Sequence, residues 1–112
     1  MDAADVYASV LVDLNAALLA MTSPRFDALL QKSPQQQRVR ALRQLVDVQH
    51  ARLVFGNAVL REIAGRLERN EDALATGQAA ARRALERLDN LPTVLRTVGR
   101  LLTLVGRVVP LV

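Results

Sequence analysis

In a chain of 112 residues, 51% are hydrophobic and only 3% aromatic, with Tyr7, Phe26 and Phe55 as the large rings. Its core must therefore be built from Leu, Val and Ala, which suits one helical domain and excludes a β-sandwich rich in aromatic residues. The lack of cysteine excludes disulfides, thiolate metal sites and cysteine nucleophiles. The net charge of +4, carried almost wholly by arginine, is spread over the middle and the C-terminal part and points only weakly to anionic partners.

The start, Met1-Asp2-Ala3-Ala4-Asp5, is acidic where a secretory signal is basic, so a cytoplasmic location is the expectation. Asp2 or Asp5 can cap a first helix in which Tyr7, Leu11, Leu14, Leu18 and Met21 recur at spacings of four and three, on one stripe. Ser23-Pro24 repeats a helix-start signal and predicts a kink or restart there, within a helix over about 3–31 whose second piece carries Phe26, Leu29 and Leu30. Ser33-Pro34 repeats it again and opens the main helix.

From Val39 onward, every seventh residue is apolar: Val39, Val46, Leu53, Leu60, Leu67, Leu74, Ala81, Leu88, Leu95, Leu102 and Val109. An unbroken seven-residue repeat implies left-handed, coiled-coil-like packing of long helices. The phase also runs through the polar stretch Arg69-Asn70-Glu71-Asp72, where a turn would reset it. The expectation is therefore one helix over about 34–90, roughly 80 Å long, in preference to a break near residue 70. The companion positions Leu42, Gln49, Gly56, Ile63, Asn70, Gly77, Ala84 and Leu91 are half polar or glycine, too poor for a free two-stranded zipper. An all-α antiparallel helical hairpin or bundle over residues 1–91 follows.

Within the long helix, Ala51, Leu53, Val54, Phe55, Ala58, Val59 and Leu60 point in nearly every direction. A helix apolar all round is buried all round, so a second chain or the C-terminal tail must cover it, and a homo-oligomer, most simply a dimer, is expected. The helix–helix interface residues are Val39, Val46, Leu53, Phe55, Leu60, Ile63, Leu67 and Leu74.

Leu91-Pro92 stops or kinks the long helix, and residues 92–112 form a distinct amphipathic helix or tail. Its polar residues Thr93, Arg96, Thr97, Arg100, Thr103 and Arg107 share a strip of about 120° opposite Val and Leu. That pattern fits docking on the main helix; it also fits a membrane surface, with Arg96, Arg100 and Arg107 at the headgroups, although Trp or Phe anchors are missing.

His50 is the single histidine, with Asp47 as its local carboxylate and no nucleophile nearby, and reads as structural. Arg38, Arg52 and Arg66 recur at multiples of seven beside Arg40 and Arg43, a row that could follow a phosphate backbone. Interleaved Asp47, Glu62 and Glu68, with no aromatic interleaving, make nucleic-acid binding the weaker reading. No phosphate loop, nucleophile elbow or metal-ligand spacing is present, so neither catalysis nor a cofactor is expected. The sequence favours a helical interaction or assembly module with its own copies or a helical protein as partner. Peripheral membrane docking and arginine-driven nucleic-acid binding are the alternatives.

Overall fold

The computed structural model describes residues 2–111 and is all-α, with helices α1 (Ala3–Met21), α2 (Pro24–Gln31), α3 (Gln35–Gly56), α4 (Leu60–Arg69), α5 (Glu71–Arg87) and α6 (Leu91–Gly106). The first helix starts where the sequence signals it. The Asp2 carboxylate accepts from the Asp5 N–H at 2.9 Å, and the Asp5 carboxylate accepts in turn from the Asp2 N–H, satisfying two donors that a helix start leaves open. Ser23 caps α2 by accepting from the Phe26 N–H, with Pro24 in the first turn. The third signal is displaced by one residue. Pro34 itself occupies the N-cap of α3, and the Ser33 hydroxyl donates to the Leu29 carbonyl at the end of α2.

The expected single helix over 34–90 is three helices, and the longest dimension of the molecule is 43 Å rather than about 80 Å. The first break follows Gly56-Asn57. There the Tyr7 hydroxyl, from α1, is shared at 3.1 and 3.0 Å between the Phe55 carbonyl, which also accepts from the Ala58 N–H, and the Gly56 carbonyl at the helix end. Asn70 makes the second break, its side-chain amide donating back to the Arg66 carbonyl at 2.8 Å. Leu88 makes the third in a left-handed conformation (φ 48°), four residues before Pro92. Arg25 of α2 reaches across to donate to the Glu86 and Arg87 carbonyls at that terminus, where a cation is favoured. Pro92 does not stop a helix. It sits in the first turn of α6, capped by Asn90, where its missing N–H costs nothing.

Helix α6 supplies a large share of the core. Its Leu91, Val94, Leu95, Val98, Leu101, Leu104 and Val105 are all buried, packed most extensively against α5 and also against α3. Gly77 lets α5 approach closely, since a β-carbon there would lie 2.6 Å from a Leu104 methyl. The N-terminal helix α1 runs antiparallel to α3 and lies against α3, α4 and α5, burying Val6, Val10, Leu14, Ala17 and Met21. The Tyr7 and Phe55 rings stack at 4.8 Å between centroids, joining α1 to α3.

Candidate interaction surface

The expected interface residues divide into two groups. Phe55, Ile63, Leu67 and Leu74 are buried in the core and Leu60 is half-buried against it, whereas Val39, Val46 and Leu53 lie on the outside. The seven-residue series therefore does not mark one seam: its first three members face solvent on α3, whereas Leu67, Leu74, Ala81 and Leu95 on later helices and Leu88 in the turn after α5 face the interior. The stretch 51–60 also needs no second chain to bury most of it. The break after Gly56 turns Ala58 and Leu60 onto the core beside Ala51, Val54 and Phe55, leaving Leu53 and Val59 exposed.

What remains on α3 is a stripe. Wound at 100° per residue, positions 39, 42, 46, 49 and 53 fall within about 80° of arc, and Val39, Leu42, Val46 and Leu53 are 47%, 55%, 61% and 55% exposed. The opposite face of the same helix holds Ala41, Val48, Ala51 and Phe55 in the core. A helix that buries one face and exposes a second apolar one at heptad spacing has the pattern of a seam without a partner. At its C-terminal end the stripe meets α1 in an open groove of about 590 Å³, lined by Leu18, Leu19, Asn15, Gln49, Arg52 and Leu53. Leu42 and Leu19 were missed as interface residues by sequence reasoning. Leu42 stood in the companion register, and Leu19 lay off the α1 stripe of Tyr7, Leu11, Leu14, Leu18 and Met21, of which only Leu14 and Met21 are fully buried, beside Val6, Val10 and Ala17.

The edges of the stripe are basic. Arg38 and Arg52 flank one side and Arg43 and His50 the other, with Arg40 and Asp47 beyond, as the same angular spacing requires. Among the described residues, Arg38, Arg40, Arg43 and Arg52 make no ion pair and no side-chain hydrogen bond, and Arg52 Nε is buried without a partner. The arginine row read from the sequence does not continue past this helix. Arg66 lies on α4, and its Nε donates to the Val108 carbonyl at 2.7 Å. His50 Nε2 lies 2.8 Å from the Leu111 carbonyl, an acceptor only, so that nitrogen carries the proton. Both side chains fasten the segment after α6 to the bundle.

Arg96 and Arg100 on α6 and Arg107 at its C-cap are exposed, as the strip pattern requires, but the Val/Leu face opposite them is buried against α5 and α3. Inserting that face into lipid would require opening the core. By length and composition α1 could also cross a membrane; here its Val6, Val10, Leu14, Ala17 and Met21 pack inside the protein.

A second concavity, of about 350 Å³, lies between α1 and α5 over Leu101. Small residues Ala16, Ala20 and Ala81 open it, and Val12 and Leu85 line its walls. At its edge the buried Gln78 donates to Ser9 Oγ at 2.9 Å and to Asp13 Oδ2 at 2.8 Å, and Asp13 pairs with Arg82 at 2.8 Å. This network joins α1 to α5 and has no nucleophile–base arrangement. Among the described residues no group of histidines and carboxylates could hold a metal ion.

Fold and surface together define an all-α bundle that, among the described residues, leaves an apolar stripe exposed along α3. Comparison with known protein families, with curated proteins and with solved structures finds no match.

Proposed function

We propose that this protein is a non-catalytic helical interaction module that binds a helix of another chain along the outward stripe of α3. The observation that carries the reading is the exposure of Val39, Leu42, Val46 and Leu53 at a/d spacing on a helix whose other face is buried. Exposed apolar residues scattered singly are ordinary, but four on one narrow arc form the kind of patch that marks a binding site. Packing of a helix into such a stripe requires only regular a/d side chains on both partners. Any role in oligomerisation would act through this same surface.

The test is the paired substitution Val46→Asp with Leu53→Asp. Both side chains are exposed, so thermal stability and helicity should stay within about 0.5 kcal/mol of the parent. Association should be lost, read as mass by light scattering for self-assembly and as photo-crosslinking from position 46 for another protein. A monomer that forms no crosslink from position 46 in its native cell refutes the reading.

A further inference from the structure

Resting on the reading of α3 as a helix-binding surface, we infer that its occupant is an amphipathic helix of a different protein with acidic residues flanking its apolar face. The argument is charge complementarity. The apolar stripe is edged on both sides by arginines, Arg38 and Arg52 on one and Arg43 on the other, none of them paired within the described chain. Asp47 is the single acid among α3 side chains. In a helix pair, the residues flanking the a/d seam face each other across it and set partner choice.

A second copy of this chain fits that requirement poorly. Paired in parallel and in register, Arg38 of each copy falls against Arg43 of the other. Paired antiparallel about a two-fold at the level of Gln44, Arg38 falls against Arg52 and Arg43 against its own counterpart. Each arrangement buries apolar area while setting like charges side by side, which suppresses the pairing. A helix with Glu or Asp at those flanks gains at every one of the same positions. A lipid surface is also less well matched: the stripe is a narrow arc interrupted by Gln49 and carries no aromatic anchor.

The experiment is an anisotropy titration of the full chain with two labelled heptad peptides that share Leu at a and d. One carries Glu and the other Lys at the flanking e and g positions. The Glu peptide should bind at least about tenfold more tightly than the Lys peptide, with the difference shrinking as salt is raised. Charge reversal by Arg38→Glu, Arg43→Glu and Arg52→Glu together should invert the preference, while Val46→Asp should abolish binding of both peptides. Equal binding of both peptides, still lost in Val46→Asp, overturns the acidic partner and leaves the helix-binding surface standing. Binding of neither peptide overturns the inference: a Val46-dependent dimer would then assign the stripe to a second copy, and Val46-dependent binding to phosphatidylserine vesicles would assign it to a membrane.

Discussion

Gly77→Ala sets two calculable effects against each other. In an exposed helix interior the change would stabilise by about 1 kcal/mol, because alanine loses less backbone freedom. At this position the new β-carbon would stand 2.6 Å from Leu104 Cδ1, well inside van der Waals contact. Leu104 is itself fully buried, so its methyl group has no open space to enter and neighbouring side chains of α5 and α6 must move with it. Overpacking of a filled core costs about 1–3 kcal/mol. The net expectation is a loss of up to about 2 kcal/mol, a fall in urea midpoint of up to about 1 M at a slope of roughly 2 kcal/mol per M. Far-UV circular dichroism in urea reads this directly. Ala75→Gly, at an exposed site on the same helix, calibrates the propensity effect and should cost about 1 kcal/mol. Adding Leu104→Val to Gly77→Ala should cost less than Leu104→Val costs alone, since the smaller side chain relieves the contact. If Gly77→Ala is more stable than the parent by the full propensity gain, the close approach of α5 and α6 is not what glycine permits here.

Phe55→Ala removes a fully buried ring and its stack on Tyr7, and should cost about 3–5 kcal/mol in the same denaturation assay. Tyr7→Phe keeps the ring and removes only the hydroxyl shared by the Phe55 and Gly56 carbonyls; a loss of about 0.5–1.5 kcal/mol is expected, and no loss would show that water serves those carbonyls equally well. Asp13→Ala leaves a buried Gln78 N–H without its acceptor and breaks the Arg82 pair. Its cost of about 1–3 kcal/mol should appear as lower thermal stability, with hydrogen exchange accelerated where α1 meets α5.

The fold class was legible because it depends on local quantities. Low aromatic content, Asp2 and Ser23 as caps, and apolar spacings of three and four all specify helix without reference to distant residues. The C-terminal pattern was equally readable: α6 buries Val and Leu and exposes Arg96 and Arg100, with Arg107 exposed at its C-cap. The candidate surface was half legible. Val39, Val46 and Leu53 stood out by their spacing, but spacing alone does not say whether a stripe faces the core or solvent, and the same repeat picked out buried Leu67 and Leu74.

By itself, then, the sequence determined that the chain is helical, where most helices begin, and which stripes are apolar, since each follows from backbone propensity and side-chain period. Only the tertiary structure decided where the helices end and which stripe is left without a partner. The break after Gly56 is completed by Tyr7, some fifty residues earlier, and the terminus of α5 by Arg25, some sixty residues earlier. A seven-residue repeat continues through such breaks because a turn of suitable length preserves sequence phase while changing direction in space. Burial then goes to the faces that the folded helices turn toward one another, α5 and α3 toward α6 and α1 toward α3, α4 and α5, and the stripe from Val39 to Leu53 lies on the side of α3 opposite its buried Ala41, Val48, Ala51 and Phe55.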